Sequence, residues 1–298
     1  MRQFQIGNHT VKDDDYFLIA ELCSNHQGSV DLCCKMMERA KHSGAHAVKL
    51  QKREVDTFWS PEDLAKPYNS ENAFGATYGE HKHFLEFDEA EWRKVADFAK
   101  KTDILLFSTA FDEQSVDFLE EFNFCAYKVA SANHTDLELM ERLVATKKPL
   151  IISVGGGEWA DSDELYDYLT INDVHFCFLH CTVSYPTRAE DMNLRIVEEL
   201  LDRYPDIQIG LSDHYEYSES DTPIKDAYSK GARIFERHFT INRSMKGTDQ
   251  RFSTDPPHFA MIAHELERQK AMQGDGIKRV LPCEVPNIQK MKKWREKV

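Results

Sequence analysis

The sequence lacks long apolar runs, paired-cysteine motifs and an excess of basic residues, and each absence excludes a class of protein. None of its apolar stretches approaches the ~20 residues that a membrane-spanning helix needs. Residues 1–5 lack the apolar segment of a signal peptide. The seven cysteines are odd in number and have no CxxC spacing, which indicates reduced thiols rather than disulfides or structural zinc. We therefore expect a cytoplasmic protein without a membrane partner.

Positive charge is also scarce, with 37 Lys and Arg residues against 51 Asp and Glu, a net charge of −14. Nucleic-acid binding needs a basic face, so this composition argues against a nucleic-acid partner. It does not exclude an anionic small molecule, because a local group of lysines can outweigh the overall field. A small anionic substrate is the partner that the composition permits.

After the first 15 residues, short apolar runs alternate with longer amphipathic stretches, as expected for alternating strands and helices. The predicted strands are Phe17–Glu21, Ala45–Gln51, Ile104–Thr109, Ala126–Ala130, Leu150–Val154, His175–His180, Gln208–Ser212 and Arg233–Glu236. The predicted helices are Ser29–Lys41, Ala90–Lys100, Gln114–Glu121, Leu137–Thr146, Glu164–Leu169, Leu194–Arg203, Asp221–Lys230 and Pro257–Met272.

Eight strand–helix pairs in succession predict parallel strands joined by right-handed crossovers, and the closed arrangement of that number is a (β/α)8 TIM barrel. An open, doubly wound sheet is the alternative. Residues 1–298 are predicted to form one barrel domain, with residues 1–15 as a hairpin covering its floor and residues 274–298 as a surface tail. Residues 52–88 are predicted to be a long functional loop.

Ionisable residues lie where the predicted strands end, which is where TIM barrels build active sites. Lys49 and Lys128 are inside apolar strands, and an unpaired buried ammonium is costly, so each needs an anion. That anion is either a structural partner, Glu21 or Glu236, or a bound phosphate or carboxylate. Hydroxyl groups near the strand ends favour the bound anion: Ser131, Ser153 and Ser212.

Two histidines, His214 and His238, follow the last two predicted strands, and Glu21 faces them from the first. Two imidazoles and a carboxylate are typical ligands of a divalent transition ion. The alternative is that both histidines are hydrogen-bonded structural residues. Three further histidines are candidates for orienting the site or for acid–base catalysis: His26, His134 and His180.

At these strand ends the sequence resembles the N-acetylneuraminate (sialic acid) synthase family. The matching stretches run in the family's order from Tyr16 to Pro282. They are Phe17–Glu21, Asn25–Gly28, Gly44–Gln51, Phe107–Asp112, Ala126–Ser131, Leu179–Thr182, Tyr185–Pro186, Gly210–His214, Glu236–Thr240 and Gly247–Asp249.

The resemblance implies an enzyme that condenses phosphoenolpyruvate with an aldehyde, usually an open-chain amino sugar. The product is a 2-keto-3-deoxy acid, and phosphate leaves by C–O cleavage. It also implies a Mn²⁺ or Mg²⁺ ion held by His214 and His238, with Asn72 near the metal or sugar. The catalytic candidates are Glu21, Asn133, His134, His214 and His238. The substrate-binding candidates are Lys49, Gln51, Ser108, Lys128, Ser131, Ser153, Tyr185, Ser212 and Asp249.

Three departures from the family pattern change what the resemblance implies. Asn133 occupies the slot of a family glutamate and cannot transfer a proton, so His134, Glu21 or water must act, or the chemistry is altered. Val183 replaces an asparagine that contacts phosphoenolpyruvate. The family's small antifreeze-like C-terminal domain, which completes the partner's site in the dimer, has no room before residue 298. We therefore expect a changed acceptor, and a homodimer is plausible without being implied.

Three functions stay open on the sequence. The first is the metal-dependent condensation that the resemblance implies. The second is an aldolase or lyase acting on a 2-keto-3-deoxy acid in the same barrel, suggested by Asn133 and Val183. The third is a non-catalytic relative that binds a sugar acid. Lys49, Lys128 and the two histidines together favour the first.

Overall fold

Eight parallel strands close into a barrel in the computed structural model, which describes residues 2–216 and 222–291. An antiparallel pair, β1 (Gln3–Ile6) and β2 (His9–Lys12), precedes them. The barrel strands are β3 (Phe17–Glu21), β4 (Ala47–Lys52), β5 (Leu105–Ala110), β6 (Tyr127–Val129), β7 (Leu150–Ser153), β8 (Phe176–Cys181), β9 (Gln208–Asp213) and β10 (Ile234–His238). Each strand pairs with the next in sequence, and β10 pairs with β3, so the predicted barrel is confirmed and the open sheet is excluded.

Helices follow the barrel strands as the amphipathic pattern predicts. Their bounds are α1 (Val30–His42), α2 (Val55–Phe58), α3 (Pro61–Leu64), α4 (Tyr78–Leu85), α5 (Glu89–Thr102), α6 (Glu113–Glu120), α7 (Leu137–Ala145), α8 (Trp159–Ile171), α9 (Arg195–Arg203), α10 (Thr222–Ser229), α11 (Pro256–Gln273) and α12 (Val285–Met291). Three short 3₁₀ segments cover residues 131–133, 189–191 and 282–284.

The structure corrects the prediction in two places. The helix predicted to begin at Glu164 begins at Trp159, because the Asp161 side chain accepts a hydrogen bond from the Glu158 N–H and so caps an earlier turn. Residues 52–88, predicted as a loop, contain α2, α3 and α4. Thr77 caps α4 by accepting from the Glu80 N–H, a signal that the loop-like composition concealed.

The predicted hairpin covers the barrel floor. Phe4, Ile6 and Val11 are fully buried, and the Phe4 ring stacks on His175, directly before β8, with ring centroids 4.7 Å apart. At the other end of the chain, residues 274–287 are exposed, as expected of a surface tail. Met1, Asp221 and residues 292–298, which the predictions also cover, lie outside the described residues. Among the described helices, none is both long enough and apolar enough to span a bilayer.

Gly210, in β9, lies where the backbone of the neighbouring strand leaves no room for a side chain. A Cβ atom at this position overlaps the Ile234 carbonyl oxygen and meets the Leu179 side chain. We expect Gly210→Ala to lower the free energy of unfolding by about 3 kcal/mol, because the strand must shift to relieve the overlap. Urea unfolding measures this change in free energy. Glu199→Ala, at an exposed position of α9, is the control and should change stability by less than about 0.5 kcal/mol. Equal stability of Gly210→Ala and the parent would contradict the packing described here.

Candidate active site

A cavity of about 310 Å³ opens at the carboxyl ends of the barrel strands, and all eight strands contribute to its wall. This volume suits a small-molecule ligand. The strand residues that line it are Glu21, Lys49, Gln51, Thr109, Lys128, Ser153, Cys181, Ser212, Glu236 and His238. The wall also includes predicted residues from the loops that follow the strands: Ser131, Tyr185, His214 and Asp249.

Lys49 is held by protein groups at the floor of this cavity. Its Nζ atom lies 2.6 Å from Glu21 Oε2 and 3.9 Å from Glu236 Oε1, and it donates to Thr109 Oγ1 at 2.7 Å. Gln51 donates to the other Glu21 oxygen at 2.8 Å. Of the two predicted alternatives for Lys49, the structural ion pair is therefore present.

Lys128 differs, because its buried ammonium group donates only to uncharged oxygens. The acceptors are Ser153 Oγ at 2.7 Å and the Val129 carbonyl at 2.8 Å. No carboxylate of the described residues forms an ion pair with it within 4.0 Å. Burial lowers the pKa of Lys128, and the nearby Glu236 carboxylate opposes that shift. Lys128 is thus a buried cation able to take a bound anion.

Two buried carboxyl groups, Glu21 and Glu236, share the floor with these lysines. Burial raises the pKa of Glu21 to about 7 against the opposing effect of Lys49, and the Glu236 charge adds to the rise. Lys128 and Lys49 lower the pKa of Glu236 despite its burial. Two lysines and two glutamates thus share the floor, and both carboxylates lie within 4.0 Å of Lys49 rather than of Lys128. Lys128 is the floor cation that a bound anion can approach without displacing an ion pair of the described residues.

His214 and His238 lie together as predicted, with ring centroids 5.2 Å apart. His214 Nδ1 faces the Thr182 carbonyl oxygen at 3.2 Å, and the Tyr185 ring packs 4.2 Å from the His214 ring. Burial and the neighbouring His214 hold the pKa of His238 well below its ordinary value, so the His238 imidazole is neutral. A neutral imidazole is the form that binds metal.

Two carboxylates, Glu21 and Asp249, lie near His238, and Glu21 pairs with His238 in register between β3 and β10. Glu21 is engaged by Lys49 and Gln51, whereas Asp249 Oδ2 lies 3.8 Å from His238 Nδ1. Among the described residues, one group of three possible metal donors has its atoms within 4.8 Å of one another: Cys23, His238 and Asp249. His214 lies outside that group. The side chains that could hold a metal thus differ in part from the predicted pair.

Three of the predicted catalytic and substrate-binding residues do not line the cavity, and the local backbone explains each case. Ser108 donates to the Thr109 carbonyl, and because side chains alternate along β5, Thr109 faces the cavity instead. The 3₁₀ turn at residues 131–133 directs the side chains of Asn133 and His134 away from the cavity. Asn133 donates to the Phe111 carbonyl at 3.3 Å, and His134 Nδ1 lies 2.6 Å from the Ser131 carbonyl oxygen.

Other predicted residues lie nearby with other contacts. Asn72 Oδ1 accepts from the Gly247 N–H at 3.0 Å and lines a neighbouring depression with Tyr185. His180 Nε2 lies 2.8 Å from the Met192 carbonyl oxygen and does not line the cavity. Val183 lines the cavity and is 49% exposed, so it presents an apolar surface to a ligand.

Two cations at the cavity rim, Arg53 and Lys82, are absent from the sequence prediction. The Arg53 guanidinium lies 3.5 Å from the Phe111 ring centre and donates to Gln51 Oε1 at 3.0 Å. Lys82 lies about 5 Å from the centres of the Trp59 and Tyr78 rings, and burial lowers its pKa to about 8. The sequence did offer a signal for Arg53, because this residue directly follows β4. The signal was overlooked because Arg53 falls in the segment predicted to be a loop.

His26 lines the cavity as a neutral, buried ring. It stacks on Phe87 with centroids 4.2 Å apart, its Nδ1 accepts from the Gly28 N–H at 3.2 Å, and burial lowers its pKa to about 3. Between pH 6.5 and 3 the unfolded chain protonates this histidine while the folded chain does not. Stability is therefore lost as the pH falls through this window.

We expect the protein to lose about 2 kcal/mol of stability between pH 7 and pH 5 through His26 alone. His26→Gln removes the titrating group. It should therefore reduce the change in unfolding free energy between pH 7 and pH 5 by about 2 kcal/mol. Urea unfolding at the two pH values measures both slopes, with exposed His42→Gln as the matched control. Equal slopes for His26→Gln and the parent would show that His26 is not buried in its neutral form.

Comparisons with known proteins agree with this fold and cavity. Residues 36–278 match the NeuB family. The human protein named N-acetylneuraminate-9-phosphate synthase is 34% identical over 278 residues, covering 93% of this chain and 76% of the human one. Pseudaminic acid synthase from Campylobacter jejuni is 32% identical over 283 residues, covering 91% of this chain and 78% of that one.

A solved structure extends the likeness to the backbone. The crystal structure of N-acetylneuraminic acid (sialic acid) synthetase from Leptospira borgpetersenii, in complex with citrate, superimposes with a TM-score of 0.82. The two sequences are 26% identical, and the superposition covers 99% of each chain.

Proposed function

Because this chain belongs to the NeuB family, we propose that it condenses phosphoenolpyruvate with a sugar aldehyde to give a 2-keto-3-deoxy sugar acid and phosphate. The chain is an enzyme, since its relatives in this family are named synthases, and those relatives support sugar acid synthesis by condensation. The acceptor in this proposal is an aldose or an N-acyl amino sugar in its open-chain form.

The observation that carries the proposal is the buried ammonium group of Lys128 at the floor of the cavity. Phosphoenolpyruvate carries a phosphate and a carboxylate, and Lys128 is a buried ammonium without a carboxylate partner among the described residues. Ser153 and Ser212 also line the cavity; the Ser212 hydroxyl donates to Glu236, whereas the Ser153 hydroxyl accepts from Lys128 and can donate its own proton to an anionic oxygen. A charged group of this kind is retained in a buried site when a ligand compensates its charge.

A divalent ion, Mn²⁺ or Mg²⁺, fits at the opposite wall. The observation in favour of it is His238 Nδ1, which is buried and has no hydrogen-bond partner. In this proposal His214 and His238 hold the ion, as the sequence resemblance implies. When bound, such an ion supplies a Lewis acid that stabilises negative charge developing on an aldehyde oxygen.

The residues of the chain then have separate tasks in the reaction. Lys128 and Ser153 hold the phosphate and carboxylate of phosphoenolpyruvate, and Tyr185 closes the wall beside His214. The enol carbon forms a bond to the aldehyde carbon, whose oxygen takes a proton. Water adds to the former enol C2, and phosphate leaves as the C2–O bond breaks. Burial raises the pKa of Glu21 to about 7, so this carboxyl group is placed to exchange a proton at neutral pH.

Release of inorganic phosphate from phosphoenolpyruvate, measured with Mn²⁺ across a panel of aldoses and N-acyl amino sugars, tests the proposal. We expect phosphate and a 2-keto acid, identified by mass spectrometry, to appear together with at least one acceptor. Reactions without acceptor or with EDTA should release neither. No phosphate with any acceptor would overturn the proposal, and exchange of pyruvate into a sugar acid would favour the aldolase instead.

A further inference from the structure

We propose that Cys23 and Asp249 join His238 as direct metal ligands, so that this chain holds a thiolate-containing centre suited to a transition metal ion rather than to Mg²⁺. The inference rests on the proposed function only in placing a divalent ion at the cavity. Its chemistry comes from the side chains themselves, because a thiolate is a soft ligand and Mg²⁺ prefers oxygen ligands.

The distances among the three side chains match a shared ion. Their donor atoms all lie within 4.8 Å of one another. Ligands that bind one ion at about 2.0–2.3 Å must themselves lie within about 4.6 Å of each other, so a small closing movement suffices. The three residues come from separate segments, directly after β3, at the end of β10 and in the loop after β10. The barrel topology, not local sequence, brings them together.

An unpartnered buried atom points into this group. His238 is 6% exposed, and its Nδ1 has no hydrogen-bond partner, although Asp249 Oδ2 lies 3.8 Å away. A buried polar atom without a partner is costly, and 3.8 Å is too long for a hydrogen bond. A cation between the nitrogen and the carboxylate satisfies both atoms.

Cys23 is built into the cavity wall rather than into the apolar core. It is 1% exposed, it lines the cavity, and its backbone has φ of +38°, a left-handed conformation that residues other than glycine rarely adopt. The turn that holds it is fixed on both sides, because the Leu22 N–H donates to the Lys49 carbonyl and the Asn25 N–H donates to the Leu22 carbonyl. Such a conformation is maintained where the surrounding structure imposes it, often at a functional site.

His214 is the predicted fourth donor. Its ring lies 5.2 Å from that of His238, and its Nδ1 faces the Thr182 carbonyl oxygen at 3.2 Å and Cys181 Sγ at 3.7 Å. The contact with Thr182 orients the ring, as hydrogen bonds to the second nitrogen of metal-binding histidines commonly do. A set of one thiolate, two imidazoles and one carboxylate favours Mn²⁺, Fe²⁺, Co²⁺ or Zn²⁺ over Mg²⁺.

Titration of the EDTA-treated, full 298-residue chain with Co²⁺ tests the assignment without any measurement of activity. A cobalt–thiolate bond gives an intense charge-transfer absorption in the near ultraviolet, which oxygen and nitrogen ligands do not give. We expect this band in the parent protein. Cys23→Ser should abolish it and weaken Co²⁺ binding about tenfold or more. Asp249→Asn should keep the band while weakening binding.

Cys181→Ser is the matched control, because Cys181 is the other buried thiol that lines the cavity. This variant should keep the band, and circular dichroism should show that all three variants remain folded. Co²⁺ binding without the band, no Co²⁺ binding, or loss of the band in Cys181→Ser alone would each overturn the assignment. A band without phosphate release would refute the proposed function and support the metal centre. Phosphate release without a band would refute the metal centre and support the proposed function.

Discussion

Replacing Lys128 with methionine is expected to lower kcat/KM for phosphoenolpyruvate about a thousandfold while changing stability by less than about 1 kcal/mol. Methionine keeps the length of the side chain and removes its charge. The substrate anion then loses a buried cation, which costs several kcal/mol. The fold loses less than it would with a broken ion pair, because Lys128 hydrogen-bonds to the Ser153 hydroxyl and the Val129 carbonyl and has no carboxylate of the described residues within 4.0 Å. Relief from burying the ammonium group offsets the loss of its longer-range attraction to Glu236.

Steady-state phosphate release with varied phosphoenolpyruvate measures the first effect, and urea unfolding measures the second. Lys35→Met, on the exposed face of α1, removes the same charge far from the cavity and should leave both quantities unchanged. A decrease of less than about threefold in kcat/KM for Lys128→Met would show that the floor of the cavity does not bind phosphoenolpyruvate.

Lys49→Met is expected to remove activity and, in addition, to lower the free energy of unfolding by about 3–5 kcal/mol. Here the lysine has a protein partner, since Glu21 lies 2.6 Å from its ammonium group and Glu236 lies 3.9 Å away. Without Lys49, two buried carboxyl groups face each other with less compensating charge. Breaking one side of a buried ion pair leaves an uncompensated charge, which explains the size of the effect.

The double variant Lys49→Met/Glu21→Gln separates the two roles of Lys49. Removing the Glu21 charge should restore most of the lost stability, since the uncompensated carboxylate is gone. Activity should stay lost, because the cation at the floor is still missing. Urea unfolding and phosphate release, measured on both single variants and the double variant, give the coupling energy. Additive stability changes would contradict the ion pair as described.

The barrel and the floor of its cavity follow from local sequence patterns. Eight apolar runs fix the strands, and most strand ends fall within two residues of the predicted positions. Lys49 and Lys128 stand out because each interrupts an apolar strand, and the serines that follow neighbouring strands mark the same end of the barrel. These features depend only on strand order and on the rule that parallel strands present their carboxyl ends together.

The positions of the other site residues depend on strand register, on local turns and on contacts between distant segments. Strand register decides whether Ser108 or Thr109 faces the cavity. A shift of one residue would exchange the two side chains between the faces of the strand. A single 3₁₀ turn moves Asn133 and His134 out of the cavity. Asp249 approaches His238 from the loop after β10, and hydrophobic periodicity does not predict the path of a loop.

In the proposed reaction, phosphate leaves by C–O cleavage and a new carbon–carbon bond forms. Phosphoenolpyruvate labelled with ¹⁸O in its bridging oxygen distinguishes C–O from P–O cleavage, with mass spectrometry of both products after incubation with Mn²⁺ and an accepted sugar. We expect the label in the released phosphate and none in the sugar acid. Label retained in the keto group, or in free pyruvate, would contradict the condensation proposed here.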